Sequence, residues 1–229
     1  MSKTILIIGA STGIGKAIVK EAAKDVENQI YAFSRKLDTM KGQFSQLSNV
    51  HSCFLDLEAF NETEFLKVLR HIGPIDILIN NAGFLVKNDF ESLSHNDLVK
   101  SYQINVIGIM QVVQSCVPKM NSKASHIINI SSMGGFQGSV KFPGLVAYST
   151  SKAALCSFTE LFAEEYKHSK IHMNCLCLGA VQTEMLEEAF PGFEAPHSAD
   201  EMASYIYSFS MKQGDFLNGK IIPVSLSTP

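Results

Sequence analysis

Short apolar runs alternate with longer segments of helical periodicity along the whole chain. The first run, residues 3–8, precedes residues 13–25, where apolar side chains recur on one helical face. The same pattern predicts further strands over residues 29–34, 50–55, 75–79, 126–131, 171–178 and 220–224. It predicts further helices over residues 40–47, 61–71, 95–118, 148–168 and 198–211. Because the strands are apolar throughout, we expect an α/β fold with a doubly wound parallel sheet covered by helices on both faces.

The composition is that of an ordinary globular protein. Of 229 residues, 46% are hydrophobic and 18% are charged, which excludes a disordered or disulfide-scaffold protein. No linker or internal repeat divides the chain, so we expect residues 1–229 to form one domain. The net charge of −3 and the lack of basic runs argue against nucleic-acid binding. No apolar stretch reaches the roughly 18 residues of a membrane span, so we expect no membrane partner.

The cysteines show no metal-binding spacing. They are Cys53, Cys116, Cys156, Cys175 and Cys177, and they form no CxxC pair or Cys/His cluster. We therefore expect no metal site, and we expect Cys175 and Cys177 to fill the core. An odd cysteine count, with a first apolar run shorter than a signal peptide, is typical of a protein in the reducing cytoplasm.

A glycine-rich turn, residues 9–15, joins the first predicted strand to the first predicted helix. Gly9 permits the tight turn, Gly13 lets the backbone approach a pyrophosphate, and Gly15 lets helix and strand pack closely. The helix N-terminus adds free N–H groups and partial positive charge for phosphates. This context predicts a dinucleotide cofactor. The expected contacts from the turn are Gly9, Ser11, Thr12, Gly13, Ile14 and Gly15.

The GxxxGxG spacing of the turn resembles that of the short-chain dehydrogenase/reductase family, in its small single-domain type. Further motifs occur in that family's order, so the resemblance spans about residues 3 to 224. They are Asp56-Leu57, Asn80-Asn81-Ala82-Gly83, Asn105, Ser131-Ser132 and the YxxxK pair Tyr148 and Lys152. The resemblance implies an NAD(P)-binding Rossmann fold. The cofactor contacts that it implies outside the turn are Asp56, Leu57, Asn81, Ala82, Gly83, Tyr148, Lys152, Val181 and Thr183.

Two features depart from the family pattern. Leu178 stands where the family usually has Pro, before the kept residues Gly179, Val181 and Thr183. Residues 137–142 look like an insertion between the serine pair and the YxxxK motif. Neither departure removes a group that could transfer a proton.

The end of the second strand predicts which nicotinamide cofactor binds. An acidic side chain there binds the ribose 2′-OH of NAD, whereas Arg accommodates the 2′-phosphate of NADP. Ser34 occupies the usual acidic position, and Arg35 follows it. A carboxylate would repel the phosphate that Ser34 and Arg35 can bind. We therefore expect NADP(H) in preference to NAD(H), the alternative being that Arg35 and Lys36 only form a solvated strand end.

Tyr148 and Lys152 lie four residues apart on a predicted helix and so share one face. An ammonium about 5 Å from the phenol, at an effective dielectric near 20, favours the phenolate by roughly 3 kcal/mol. That is a pKa shift of about two units, which would make Tyr148 a usable general acid or base. A second match, Tyr166 with Lys170, is interpreted as surface because no serine-bearing strand precedes it.

The serine pair and Asn105 complete the expected catalytic set. The family pattern implies that Ser132 polarises the substrate, with Ser131 as the alternative, since a one-residue slip reverses a strand side chain. Asn105 is polar among apolar neighbours and needs hydrogen-bond partners. The resemblance implies that it holds a water connecting Lys152 to solvent; the alternative is a satisfied buried Asn.

These features predict NADPH-dependent reduction of a carbonyl group to an alcohol, or the reverse, by hydride transfer with Tyr148 as general acid or base. The alternatives are an NAD-linked alcohol dehydrogenase and a non-catalytic NADP(H)-binding regulatory protein. The apolar loop 184–197 is expected to cover a small carbonyl or alcohol substrate. Because the helices predicted over 95–118 and 148–168 are apolar on most sides, and family members commonly pair them, we expect a homodimer or homotetramer.

Overall fold

The predicted alternation of strands and helices is present in the computed structural model, which describes residues 2–121, 123–212 and 214–226. The strands are β1 Thr4–Ile8, β2 Gln29–Ser34, β3 Val50–Phe54, β4 Ile77–Asn80, β5 Ser125–Ser132, β6 Ile171–Leu178, β7 Val181–Gln182, β8 His197–Ser198 and β9 Ile221–Val224. The helices are α1 Gly13–Ala23, α2 Leu37–Gln43, α3 Glu62–Arg70, α4 His95–Tyr102, α5 Gly108–Cys116, α6 Val146–Glu165, α7 Glu184–Ala189 and α8 Ala199–Lys212. Among the residues so described, no helix combines the length and the apolar character needed to cross a membrane.

Seven strands form one parallel sheet in the order β3-β2-β1-β4-β5-β6-β9. The chain moves outward in one direction from β1 to β3 and then returns to place β4 on the other side of β1. The strand order therefore reverses between β1 and β4, and ligands of such sheets bind in the crevice at the carboxyl end of that switch point. The doubly wound parallel sheet expected from the sequence is confirmed.

Both faces of the sheet are buried, which explains why the strands are apolar throughout. Along β1, Ile5 and Ile7 pack in the core beneath α1 and α8, whereas Leu6 and Ile8 pack in the core beneath α3, α5 and α6. All four side chains are at most 1% exposed. Each such burial stabilises the fold by about 1.5–3 kcal/mol, so this strand anchors the glycine turn that follows it.

The structure corrects three details of the predicted elements. The helix expected over 40–47 is α2 and lies earlier, with Asp38 in its first turn. The helix expected over 95–118 is interrupted by a π-helical segment, Gln103–Ile107, and closes in a 3-10 turn at Val117–Lys119. The loop expected over 184–197 contains α7, which begins because the Thr183 hydroxyl accepts a hydrogen bond from the Leu186 N–H.

Candidate active site

The expected site residues gather at the carboxyl edge of the sheet, around β1, β4 and β5. The glycine turn follows β1, Asn81 follows β4, and Ser132 ends β5. The first turns of α6 bring Tyr148 and Lys152 to the same edge, because α6 packs on β5 and β6. The parallel order of the strands thus brings together residues that are more than a hundred positions apart.

The glycines of the turn are required by close packing. Gly9 has φ +85°, and a Cβ on it would lie 2.5 Å from the Ala82 Cα. A Cβ on Gly15 would lie 2.0 Å from the Gly9 carbonyl oxygen, so no other residue fits there. The N–H groups of Gly9 and Ala10 donate to the Phe33 carbonyl, which holds the turn against β2. These contacts set the start of α1 at a fixed distance from the sheet.

The turn meets the requirements of a pyrophosphate site. Thr12 is the extended N-cap residue of α1, and the first helical turn contains no acidic side chain. Gly13, with φ +51°, is the helix's first residue, and Ile14 packs its side chain against the core. An eleven-residue helix that begins on such a glycine turn offers N–H groups and partial positive charge to an anion. The residues present therefore fit the phosphates of a nicotinamide dinucleotide.

The segment after β4 links the glycine turn to the catalytic side. The Asn81 side chain donates to the Gly9 carbonyl at 3.0 Å, and its backbone N–H donates to the Ile8 carbonyl at 3.0 Å. A Cβ on Gly83 would lie 3.4 Å from the Lys152 Nζ and 3.8 Å from the Asn105 Oδ1. Gly83 therefore borders the space between these two side chains.

The end of β2 carries the residues expected to select the cofactor. The Ser34 hydroxyl donates to the Ser11 hydroxyl at 2.9 Å, so the two serines lie side by side at the glycine turn. Arg35 is exposed, and its guanidinium pairs with the Glu58 carboxylate at 3.3 Å. The Asp56 carboxylate accepts the Glu58 N–H at 2.9 Å. Arg35 is thus exposed at the end of β2 and is paired with Glu58.

Other residues expected to contact the cofactor also lie at this edge of the sheet. Leu57 is buried after β3, and Val181 is buried in the short strand β7. Thr183 approaches the glycine turn, because a Cβ on Gly13 would lie 3.3 Å from its methyl group and 3.5 Å from a Glu184 carboxylate oxygen. The start of α7 therefore lies next to the turn.

Lys152 is almost completely buried, and its amine is directed to the end of β5. The ammonium donates to the Ile130 carbonyl at 2.8 Å and lies 5.9 Å from the centroid of the Tyr148 ring. Burial lowers the pKa of Lys152 to about 8. The side chain is therefore still mostly protonated at pH 7.

The pKa of Tyr148 moves in the direction opposite to the one expected from the sequence. Burial raises it to about 12, although the hydrogen bond with the Ser132 side chain acts to lower it. The expectation of a pKa lowered by Lys152 considered one charge alone. Removal of the phenol from water raises the pKa because the phenolate loses its hydration, and the Lys152 charge is not among the groups that lower it. In this structure Tyr148 is therefore protonated throughout the neutral range.

The two serines at the end of β5 have different partners. Ser132 hydrogen-bonds with Tyr148, and its hydroxyl also accepts the Gly134 N–H at 3.1 Å. Ser131 faces the other way, and its buried hydroxyl donates to the Lys152 backbone carbonyl at 2.9 Å. Of the two candidates, only Ser132 is placed beside the Tyr148 hydroxyl.

Asn105 lies in the π-helical segment and is completely buried. Its side-chain amide donates to the Phe84 carbonyl and to the Ser151 hydroxyl, both at 2.9 Å, and its oxygen accepts the Phe84 N–H at 2.7 Å. Both amide hydrogens are thus used by protein partners. This geometry agrees with the alternative of a satisfied buried Asn that connects the loop after β4 to α6.

Sequence reasoning missed several residues around the site. Ser151 supports Asn105, and Lys87 spans the loop after β4 and α7 by donating to the Ala189 carbonyl at 2.9 Å. The Lys87 ammonium also lies 4.1 Å from the Phe190 ring centroid. No motif marks these residues, because their partners are distant in the sequence. Tyr166, the second match to the motif, stacks on Phe162 near the far end of α6.

The chain belongs to the short-chain dehydrogenase family, which matches residues 3–192. It is therefore an NAD(P)-dependent dehydrogenase or reductase. A 3-amino-tetrahydro-pyrrolizinone reductase of Xenorhabdus hominickii is 35% identical over 185 residues, which are 79% of this chain but only 62% of that protein. A 3-oxoacyl-acyl-carrier-protein reductase of Rattus norvegicus is 28% identical over 188 residues, covering 81% of this chain and 78% of that protein.

Solved structures have the same fold. A short chain dehydrogenase from Burkholderia cenocepacia J2315, crystallised in complex with NADP, superposes with a TM-score of 0.85. The superposition covers 97% of this chain and 96% of that chain at 22% sequence identity. At this identity the likeness establishes the architecture alone.

Proposed function

We propose that this protein is an NADPH-dependent carbonyl reductase in which Tyr148 is the general acid. The observation that supports this most strongly is that the Tyr148 side chain hydrogen-bonds with Ser132 and that its ring centroid lies 5.9 Å from the buried amine of Lys152, at the sheet edge that carries the glycine turn. The bound nicotinamide would supply the hydride. Ser132 would donate a hydrogen bond to the substrate oxygen, and Tyr148 would donate the proton that converts this oxygen to a hydroxyl.

Tyr148 is in the protonated state that its proposed role as the acid of a reduction requires. A phenol with a pKa of about 12 is protonated at neutral pH and can serve as the acid from the start of the reaction. In oxidation the same group must first lose its proton to act as the base. Lys152, with a pKa of about 8, carries the positive charge that would stabilise the transient phenolate.

The matched pair of tyrosines tests this role. Tyr148→Phe removes the acidic proton and keeps the ring, so we expect turnover to fall by about 10²- to 10⁴-fold while NADPH affinity is unchanged. Tyr166→Phe is the control, because this tyrosine has the same motif spacing but lies outside the site. Turnover would be measured as NADPH oxidation with a panel of ketones, quinones, sugars and 3-oxoacyl thioesters. Full activity of Tyr148→Phe would refute the proposal.

The preference for NADP(H) rests on Ser34 and Arg35. No carboxylate occupies the Ser34 position, and Arg35 offers a guanidinium to the 2′-phosphate. We expect Arg35→Ser to weaken NADPH binding by about 10- to 100-fold and to leave NADH binding nearly unchanged. Lys41→Ser, which removes an exposed charge from α2, is the control. Titration of both cofactors decides the matter, and tighter binding of NADH by the unmodified protein would reverse the assignment.

The proposed substrate is a small carbonyl compound with apolar character. Both relatives described above are named reductases, and α7 and the residues after it carry apolar side chains such as Met185 and Phe193 toward the surface. Lys87, pinned against Phe190, is the cation that sequence reasoning missed beside this segment. A substrate panel that includes apolar and anionic ketones would identify the class, and exclusive turnover of anionic compounds would contradict the apolar assignment.

We also propose that the protein is a single-domain homodimer or homotetramer of the cytoplasm. The helices α4, α5 and α6 and the π-helical segment expose large apolar side chains, namely Val99, Tyr102, Ile107, Met110 and Leu161. Exposed apolar area of this kind is typical of a subunit interface. The free thiols of all five cysteines fit a reducing compartment. Light scattering at micromolar concentration tests the assembly, and a monomer would contradict it.

A further inference from the structure

Three buried cysteines meet beneath the candidate active site. The Cys156 sulfur, on α6, lies 3.8 Å from the Cys175 sulfur and 3.6 Å from the Cys177 sulfur, both on β6. All three sulfurs lie within 4.8 Å of one another. Cys175 and Cys177 are two positions apart and share one face of the strand, whereas Cys156 reaches them from the helix above. We call these three residues the thiol cluster. Their spacing in the sequence matches no metal-binding motif, so the sequence alone did not predict the cluster.

The spacing of the thiol cluster matches that of a trigonal metal site. A metal at the centre of three sulfurs, with bonds of about 2.3 Å, requires sulfur–sulfur distances of about 4 Å. The distances of 3.8 and 3.6 Å fall just below this value, and the third lies within 4.8 Å, so small side-chain adjustments suffice. A disulfide would need a sulfur–sulfur bond of about 2.05 Å and would leave one of the three thiols unused.

The apolar surroundings of the thiol cluster favour a metal ion that prefers sulfur ligands and is stable with only three of them. Met133, Phe136 and Ile221 pack against the three cysteines. The Ser131 hydroxyl lies 3.5 Å from the Cys156 sulfur and already donates to the Lys152 carbonyl. Zinc usually takes four ligands from sulfur, nitrogen and carboxylate oxygen. Three thiolates in a dry, apolar shell instead suit Cu(I).

We propose that Cys156, Cys175 and Cys177 form a trigonal thiolate site for Cu(I). Each thiol that binds the ion releases its proton to solvent, and the copper stays in the Cu(I) state throughout, so no electron donor or acceptor is needed. Cys156 retains 8% of its surface exposed, which gives the ion an entrance at the edge of the cluster.

Lys152 provides part of the positive charge that such a site requires. It precedes Cys156 by four residues, one helical turn, and its ammonium interacts electrostatically with all three cysteines. A Cu(I) ion bound by three thiolates carries two net negative charges, and such a charge in an apolar interior is costly unless cations compensate it. The buried ammonium compensates one of the two. If Lys152 stabilises the Tyr148 phenolate as proposed, bound copper would also inhibit turnover. This inhibition rests on the proposed function, whereas copper binding does not.

Competition with the Cu(I) chelator bicinchoninate tests the site. The full-length protein would be titrated without oxygen, in a non-thiol reductant, against the coloured Cu(I)–bicinchoninate complex. We expect one equivalent of copper per chain to transfer to the protein. Replacement of a second-shell group typically weakens metal binding by 10–100-fold, so Cys156→Ala, Cys175→Ala and Cys177→Ala should each weaken it by at least about 100-fold. Cys116→Ala, another buried cysteine, is the control and should bind like the unmodified protein.

A second measurement does not depend on the variants folding. X-ray absorption of the copper-loaded unmodified protein should show three sulfur neighbours around Cu(I) and no nitrogen or oxygen neighbour. Failure to take copper from bicinchoninate, uptake that survives Cys156→Ala, or a first shell other than three sulfurs would each overturn the proposal. Tyr148→Phe should still bind one equivalent, because the site does not require the proposed catalysis.

Discussion

His126 makes the stability of the fold depend on pH in the mildly acidic range. This side chain lies at the start of β5 and is 4% exposed. Its Nδ1 lies 3.1 Å from the Ser210 carbonyl, to which it must donate, and its Nε2 accepts from the Asn174 amide at 2.9 Å. A protonated ring would direct a second N–H at the Asn174 amide hydrogens, and that hydrogen bond would be lost.

Burial lowers the pKa of His126 to about 4 from an ordinary value near 6.5, with His172 adding to the effect and Asp215 and the Ser210 hydrogen bond opposing it. Between these two values the unfolded chain binds more protons than the folded protein. The free energy of unfolding is therefore highest above pH 6.5 and falls as the pH is lowered toward 4. At about 1.4 kcal/mol per pKa unit, the total loss is about 3 kcal/mol, of which about 2 kcal/mol is lost by pH 5.

Denaturant unfolding at pH values from 5 to 7.5 measures this effect. In His126→Gln the imidazole is gone, so the free energy of unfolding should vary with pH by about 2 kcal/mol less than in the unmodified protein. His51→Gln, at an exposed position on β3, should keep the full pH dependence. If the curve of His126→Gln runs parallel to that of the unmodified protein, the buried imidazole is not the cause.

Two further predictions concern the candidate site. Ser132→Ala should lower turnover by about 10²- to 10³-fold, as loss of a group that stabilises a developing oxyanion does. Ser131→Ala should change turnover little. It should lower the free energy of unfolding by about 1 kcal/mol, because the hydrogen bond to the Lys152 carbonyl is lost. Kinetics and thermal unfolding of both variants test this, and the reverse pattern would reassign the substrate contact. Gly83→Ala should place a methyl group in ordinary contact with the Lys152 amine and reduce turnover without unfolding the protein, while Gly73→Ala, which meets no atom within 4 Å, should be neutral. Unchanged turnover in Gly83→Ala would show that no proton is transferred through this space during the reaction.

The parts of the fold that were predicted correctly depend on local pattern. A strand buried on both faces must be apolar, and a turn that packs against backbone must contain glycine, so β1 and residues 9–15 could be recognised from the sequence. The π-helical segment could not, because Asn105 departs from α-helical geometry where it binds the Phe84 backbone, about twenty residues away. The short helix α7 could not be predicted either, because it begins at a single capping hydrogen bond to Thr183 and its sequence has no helical periodicity.

The identity of the candidate site residues could be predicted from the sequence, but their pKa values could not. Tyr148, Lys152 and Ser132 could be selected from motif order, and the structure places them together. The direction of the Tyr148 shift depends on how much water the fold excludes, which is a property of the packed structure. The thiol cluster was missed for a related reason, since Cys156 and the two cysteines of β6 become neighbours only when α6 packs on the sheet.

The end of β5 explains why the expected residues work as a unit. Ile130 accepts the Lys152 amine with its carbonyl, Ser131 binds the Lys152 backbone with its hydroxyl, and Ser132 binds Tyr148. Successive side chains of a strand point to opposite faces. The three consecutive residues therefore contact α6 through different groups: the backbone carbonyl of Ile130 and the hydroxyls of Ser131 and Ser132. A slip of one residue in β5 would exchange the two serines and separate the tyrosine from its partner. The pairing of β5 with both β4 and β6, which holds this register, is therefore as necessary to the proposed reaction as the tyrosine itself.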